Sequence, residues 1–411
     1  MRILQLVHQY IPENIGGTEL YTYWLSESLV QQGYNVAVFY RRSADGTGIT
    51  RRFQNGQEIW CAWSGLITPF RRFWATFYNP ALTKAFLQVL DEFQPDLVHI
   101  QHLMGHPAHY ISYLKEKGIP YVITLHDFWW ICANAQLLTN YSQELCAGPH
   151  LYLNCAECAL SRLGRARYKP VLPIAATPLA MRNYLLRKVI AGAEALIAPS
   201  KFVRQWYLGQ GIPEDKIYTV AHGVKVDGLV SSQKREPHSP VRFAYLGGFS
   251  WQKGVHIAVE AFTGLKGSAE LWLIGDDTAF PDYTAYLRSL ATSNVHFLGH
   301  QDRAGVWKTL AQVDILVVPS LWYETFAFVI SEAFAAGVPV IASSLGPLKD
   351  RIKDEVDGLL VPPGDKQAMR AAMQRFLDDP ELILRLRSGI TPPDTIEKHS
   401  RMIEEIYKAI V

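Results

Sequence analysis

Short apolar runs alternate with amphipathic segments along the whole chain. Arg2–His8 is an apolar run. Gly17–Gly33 places Leu20, Trp24, Leu25 and Leu29 at helical spacing, with Gly33 as the stop. Asn35–Arg41, Asp96–Gln101, Tyr121–His126, Ala195–Pro199 and Tyr218–Ala221 read as further short strands. Thr50–Phe53 and Glu58–Cys61 flank Asn55-Gly56 as a hairpin. A second series starts near residue 241. Arg242–Leu246, Leu271–Ile274, Val295–Leu298, Ile315–Val318 and Pro339–Ala342 are its strands, with helices over about 254–264, 282–291, 302–312, 326–336 and 365–378.

Such alternation predicts parallel sheets covered by helices on both faces. Two series predict two doubly wound domains, 1–226 and 241–394. The polar, turn-rich segment 227–240 is the expected linker. The tail, 395–411, reads as a helix packing back onto the first domain. Ligands of open parallel sheets sit beyond the carboxyl ends of the strands, so two such domains facing each other predict a site in the cleft between them.

Composition adds exclusions. Of 411 residues, 49% are hydrophobic and 19% charged, which is globular rather than disordered. Lys plus Arg is 40 against 38 Asp plus Glu, a net charge of +2 that speaks against a nucleic-acid binder. The sum hides an asymmetry: residues 1–195 hold 17 basic and 13 acidic side chains (+4), the remainder 23 and 25 (−2). No secretory signal and no run of 18 apolar residues is apparent, so a cytoplasmic protein is expected.

Candidate chemistry follows the strands. Gly16-Gly17 opens a helix, where paired glycines let a backbone approach an anionic ligand. His126-Asp127 follows a strand, where the imidazole could donate to a hydroxyl or handle a proton. Gly247-Gly248-Phe249-Ser250-Trp251-Gln252-Lys253-Gly254 combines small residues with a compact cation, which suits phosphate, yet its spacing is not that of a P-loop. Glu324 lies in a loop after a strand, and Glu332 eight residues on in an apolar helix, where a charge needs a partner. Two carboxylates beside a helix N-terminus suit the hydroxyls and diphosphate of a nucleotide sugar.

This Glu-x7-Glu spacing, followed by Ala335-Ala336-Gly337-Val338-Pro339 and Asp357-Gly358-Leu359-Leu360-Val361-Pro362-Pro363-Gly364-Asp365, resembles glycosyltransferase family 4. Gly16-Gly17, Ala198-Pro199-Ser200-Lys201-Phe202, Gly275-Asp276 and Phe297-Leu298-Gly299 extend the likeness over nearly the whole chain. The resemblance implies an α/β GT-B fold: two Rossmann-like doubly wound domains facing across a cleft. It also implies retaining transfer from a UDP-, GDP- or dTDP-sugar, without catalytic metal or other cofactor, to a glycan or lipid-linked acceptor in bacterial cell-surface polysaccharide synthesis. A GT-B-shaped epimerase and a non-catalytic sugar-nucleotide scaffold are the alternatives.

By resemblance Glu324 contacts the transferred sugar, Glu332 the ribose and Lys253 the diphosphate. Thr325, Phe326, Ala327 and Phe328 support the diphosphate, Gly247, Gly248 and Gly275 line the donor loops, and Leu298 and His300 lie near the base. Gly16 and Gly17 shape the site, and His126 supports the transition state. Gly248 stands where many family members have an Arg, so one cation of the expected pair is missing.

Two further features stand apart. Cys132, Cys146, Cys155 and Cys158 fall within 27 residues, which fits either structural zinc or buried thiols. Residues 158–193 contain no Asp or Glu and seven cations, Arg162, Arg165, Arg167, Lys169, Arg182, Arg187 and Lys188, interleaved with apolar residues. With Phe70-Arg71-Arg72-Phe73-Trp74, this stretch predicts a face for the anionic inner surface of a membrane.

Overall fold

The computed structural model describes residues 1–164, 169–226 and 236–411. Residues 227–235 of the expected linker lie outside them, as do Arg165, Arg167 and Tyr168 of the basic segment. The chain divides into two compact units, Met1–Gly223 with Ile396–Val411, and Val224–Thr395.

The first unit has eight strands: β1 (Arg2–Leu6), β2 (Asn35–Arg42), β3 (Ala44–Gln54), β4 (Gln57–Gly65), β5 (Leu97–Ile100), β6 (Tyr121–Thr124), β7 (Ala195–Ala198) and β8 (Ile217–Thr219). They are ordered β3-β4-β2-β1-β5-β6-β7-β8. All pairings are parallel except β3 with β4. Asn55 and Gly56 both take positive φ, 51° and 74°, the geometry that closes a two-residue hairpin and so forces the antiparallel edge. The helices are α1 (Gly17–Gln31), α2 (Pro69–Ala75), α3 (Pro80–Phe93), α4 (Tyr110–Glu116), α5 (Leu153–Arg162), α6 (Leu172–Ala191) and α7 (Lys201–Leu208). Local chemistry sets their starts: Asn79 Oδ1 accepts from Leu82 N at 3.1 Å ahead of Pro80, and Ser200 Oγ from Val203 N at 3.3 Å.

The second unit is a six-stranded parallel sheet of β9 (Val241–Leu246), β10 (Ala269–Ile274), β11 (Val295–Gly299), β12 (Ile315–Val318), β13 (Val340–Ser343) and β14 (Gly358–Val361). Its order is β11-β10-β9-β12-β13-β14. Its helices are α8 (Val255–Phe262), α9 (Pro281–Leu290), α10 (Arg303–Leu310), α11 (Phe328–Ala335), α12 (Pro347–Arg351), α13 (Lys366–Asp378) and α14 (Glu381–Gly389). Alternate strand residues feed two cores, one per face. Phe243, Tyr245, Ile315, Val317 and Ile341 enter one, and Ala244, Leu246, Leu316, Val318 and Val340 the other.

β14 and α14 are not among the elements the pattern predicts. A four-residue strand carries too little periodicity to stand out, and α14 directly follows Pro380. The helix expected from 326 starts at Phe328, because Ala327 is left-handed (φ 54°) and cannot lie inside a right-handed helix.

The last helix, α15 (Ile396–Lys408), belongs to the first unit. Its Ile403 and Tyr407 are fully buried. Tyr21 Oη meets His399 Nε2 at 2.8 Å, Ser28 Oγ meets Ser400 Oγ at 2.7 Å, and Tyr407 Oη meets His99 Nδ1 at 2.6 Å.

Buried histidines mark the first unit. Burial, with smaller repulsions from neighbouring cations and histidines, pushes His8, His99 and His126 well below 6.5 and His106 to about 3. In the second unit His256 shifts down from burial. A histidine depressed in the folded state contributes stability above its unfolded pKa and loses it as pH falls. Each costs about 1.4 kcal/mol per pH unit between the unfolded and folded values. Acidification from pH 7 to 5 is therefore expected to lower the denaturant midpoint of the first unit more than that of the second, read by urea unfolding at each pH. Equal shifts would contradict it.

Candidate active site

The loops after β9, β10, β11 and β12 meet backbone to backbone in the second unit. A Cβ on Gly275 would lie 1.8 Å from Gly247 O, and one on Gly254, with φ +69°, would lie 1.9 Å from Pro319 O. Only glycine fits at either position. Gly247 N donates to Ile274 O at 2.9 Å, Gly275 N to Gly299 O at 3.0 Å and Leu321 N to Gln252 O at 2.8 Å. The glycine loop thus brings Lys253 beside the segment that follows β12.

There Glu324, 8% exposed, is held through one oxygen. Its Oε1 accepts from Lys253 Nζ at 2.7 Å, Ser320 Oγ at 2.9 Å and Trp322 Nε1 at 2.9 Å. Burial pushes its pKa up, but the Lys253 charge and the three donors outweigh that and hold it below the usual carboxylate value. Glu324 is therefore an ionised acceptor at neutral pH. Glu332 is equally buried on α11 and pairs with Arg303 Nη1 at 2.6 Å.

Between these carboxylates runs Thr325–Phe328. Ala327 caps α11, and the Phe326 and Phe328 rings meet edge to face at 5.1 Å. The Arg351 guanidinium lies 3.8 Å over the Phe326 ring. It donates to the carbonyls of Phe326 and Ala327 and to Ser331 Oγ. Burial brings it down to about 9. Leu298 and His300, flanking Gly299, are exposed at the end of β11. Gly248 is exposed with its carbonyl accepting from Tyr245 Oη at 2.9 Å, and a Cβ there would meet nothing within 4 Å.

In the first unit the strand ends gather a different set. Gly16 caps α1 in extended conformation, and the buried Glu19 folds back so that a Cβ on Gly16 would meet its Oε2 at 2.6 Å. Burial raises the Glu19 pKa, and His8 Nε2 stands 3.4 Å from its Oε1. The His8 ring lies 4.4 Å from that of His102, whose Nε2 stands 3.1 Å from Asp127 Oδ2. Met104 N donates to His102 Nδ1, so Nε2 carries the proton that goes to Asp127. His126 donates from Nε2 to Gln101 Oε1 at 2.7 Å and is neutral at physiological pH. Its chemistry here is that of a neutral imidazole, not an imidazolium.

The second unit thus brings Lys253, Glu324, Phe326, Ala327 and Phe328 into one site, framed by Gly247 and Gly275. Gly16, Gly17 and His126 belong to the first unit. Four partners have no role in the sequence reading: Ser320, Trp322, Arg303 and Arg351. Ser320 and Trp322 sit just ahead of the motif, four and two residues before Glu324, where their spacing was the available signal. Arg303 and Arg351 lie 29 and 20 residues from the side chains they bind, and no local pattern links them.

The basic segment is only in part a surface. Arg182 is buried, stacks 4.5 Å over Trp129 and donates to Asn183 Oδ1 and Trp129 O, so it is a core cation and not a membrane-facing charge. Arg162, Arg187 and Lys188 are exposed. The α2 and α6 stretches form one surface. Trp74, Phe77, Pro173, Ile174, Pro178 and Met181 line an apolar groove of about 650 Å³. No helix among the described residues is long and apolar enough to cross a membrane.

Residues 15–227, just over half of the chain, match the model described as Glycosyltransferase Family 4, and residues 240–379 match Glycosyl transferases group 1. A glycogen synthase of Mycobacterium tuberculosis is 25% identical over 92% of this chain and 87% of its own length. A phosphatidyl-myo-inositol mannosyltransferase of Mycobacterium leprae is 30% identical over 44% of this chain and 49% of its own length. The structure of Anabaena HepE in complex with UDP-glucose superposes with a TM-score of 0.67 at 18% identity, covering the whole of both chains. The fold is that of the GT-B class, and the chain belongs to glycosyltransferase family 4, the retaining enzymes that take their sugar from a nucleotide-sugar donor.

Proposed function

We propose that the chain transfers a sugar, with retention and without a catalytic metal, to a glycan or lipid-linked acceptor of cell-surface polysaccharide synthesis. The observation that carries this reading is the buried, ionised Glu324 held by Lys253, Ser320 and Trp322. Its second oxygen can accept from vicinal hydroxyls of the transferred sugar. Lys253 lies within reach of the same point and neutralises the charge that develops on the departing diphosphate. The α11 N-terminus adds backbone N–H groups and its dipole. Glu332 serves the ribose, Leu298 and His300 the base. Gly16, Gly17 and the neutral His126 act from the first unit, where the imidazole hydrogen-bonds to the donor sugar. UDP is the favoured nucleotide because Anabaena HepE is a structural neighbour bound to UDP-glucose.

A lipid-linked acceptor is supported by the apolar groove between α2 and α6 and its exposed Trp74, Ile174 and Met181. The relative that acts on phosphatidyl-myo-inositol fits such an acceptor.

Glu324→Gln keeps the shape and removes the charge. It is expected to lower kcat by about 10²-fold or more in donor-turnover assays across UDP-, GDP- and dTDP-sugars, read below the thermal midpoint that the loss of the Lys253 ion pair lowers. Turnover near wild type would refute the role of Glu324.

Gly248 has room for a side chain and no left-handed φ. Gly248→Arg restores a second cation near the donor diphosphate and is expected to lower the donor KM about fivefold, an interaction of about 1 kcal/mol. An unchanged or higher KM would mean the diphosphate lies elsewhere.

Vesicles containing anionic lipid are expected to sediment the protein, and neutral vesicles are not. Ile174→Glu within the groove should weaken that binding. Equal recovery with both vesicle types would refute the membrane face.

A further inference from the structure

The run from residue 59 to residue 90 contains no Asp or Glu and carries Arg71 and Arg72. Arg71 joins Arg41 and Arg42, the last two residues of β2, around a pocket of about 20 Å³ in the first unit. That exceeds what one water needs. Ser64 and Asn79 also line the pocket, and none of its lining residues is acidic. Asn79 Nδ2 donates to Ser64 Oγ at 2.8 Å, which leaves the Ser64 hydroxyl hydrogen to donate in turn. β2 runs parallel to β1, and β1 to β5, so the pocket lies at the sheet end where His8 and His102 stand. Open parallel sheets hold their ligands at that end.

Arg41 is 6% exposed, yet its buried Nε has no hydrogen-bond partner, and among the described residues it forms no ion pair. No carboxylate is among the groups whose charge acts on it, and Arg72, another cation, repels it. Burial and that repulsion bring it down to about 10, so it stays charged at neutral pH. A buried charge is costly and is normally paired. The fold makes room for this one: a Cβ on Gly105, with φ +77°, would lie 2.3 Å from Arg41 Cζ. Gly65, with φ +85°, does the same for Arg71, whose Nη1 a Cβ would meet at 2.8 Å. The Arg42 guanidinium is held 4.5 Å over the Trp63 ring. Three guanidinium side chains thus line one small pocket to which the described chain supplies no countercharge. Their planar forks match the oxygens of a phosphoryl group.

We infer that Arg41, Arg42 and Arg71 bind the phosphoryl group of a lipid-linked acceptor, whose hydrocarbon chain lies in the apolar groove beside α2. The inference rests on the proposed sugar transfer and names the chemistry of its acceptor. Arg71 and Ala75, four residues apart, present one face of α2 to the pocket, while Trp74 and Phe77 present the adjoining face to the groove. The two sites therefore flank one short helix, which with its side chains is about 10 Å across. An anionic head on the pocket side and an apolar tail on the groove side is the order of groups in a lipid phosphate. A neutral glycan offers nothing to the arginines and gains nothing from the groove.

The test measures binding to the full chain without donor, by thermal shift and calorimetry. Its failure is thus separate from a failure of sugar transfer, which donor turnover reads. The probes are inorganic phosphate, decyl phosphate and 1-decanol. Decyl phosphate is expected to raise the wild-type thermal midpoint and to bind about tenfold or more tighter than either of the others. Arg41→Met and the exposed Arg71→Gln should each weaken decyl phosphate about tenfold or more, through loss of a charge-assisted hydrogen bond. With no ligand present, Arg41→Met should melt above wild type, because an unpaired buried charge is gone. Equal affinity for phosphate and decyl phosphate would overturn the lipid part and assign the pocket to a soluble phosphate compound. Equal affinity for decyl phosphate and decanol would overturn the phosphoryl part. Unchanged decyl phosphate affinity in both arginine variants, or an Arg41→Met midpoint below wild type without ligand, would overturn the site itself.

Discussion

The ion pair between Lys253 and Glu324 is the constraint around which the second unit is arranged. A carboxylate at the end of a buried strand is tolerated only when a cation and enough donors meet it. The 2.7 Å contact with Lys253 supplies the cation, and Ser320 and Trp322 supply the rest. Lys253 can reach that point because its loop is pressed against the neighbouring loops with no side chain between them. Gly254 against Pro319 O and Gly275 against Gly247 O leave no room for even a methyl group. The glycines that a sequence reader associates with flexibility act here through absence of volume. A bulkier residue at either position would push the Lys253 loop away from β12 and leave Glu324 buried without its countercharge.

This constraint explains what could be read in advance. The strands of the second unit were legible because alternate residues enter two separate cores, which gives short runs of unbroken hydrophobicity such as Ile315–Val318. Glu332 was legible because a charge in an apolar helix needs a partner. The partner was not, because Arg303 comes from a different helix and only tertiary packing brings it within 2.6 Å. The same holds for Arg351, whose side chain reaches back under Phe326 and Ala327. Position in the sequence indicated which groups demand compensation, while the fold determined which groups provide it.

Charge in the first unit follows the same rule. An acid-free run from 158 to 193 invites a reading as surface, and Arg187 and Lys188 are indeed exposed. Arg182 instead turns inward, because the guanidinium plane can stack on Trp129 while its nitrogens serve Trp129 O and Asn183. A count of cations cannot distinguish these fates, since both occur on one helix within six residues. The buried histidines show a related limit. His99 bonds to Thr124 at one nitrogen and Tyr407 at the other, so its place depends on a residue 308 positions away.

Arg351 also bears on the missing cation at Gly248. Its side chain is half-buried and, in the contacts formed with Phe326, Ala327 and Ser331, meets only neutral acceptors. By holding the carbonyls of Phe326 and Ala327 on its own side, it fixes the orientation of the peptides that lead into α11. Its positive charge adds to the dipole of that helix, at the end where free N–H groups collect. Positive potential at the start of α11 thus comes in part from below the backbone, where partial burial reduces its screening. On the proposed reading, in which the start of α11 holds the diphosphate, Arg351 acts by orienting that backbone.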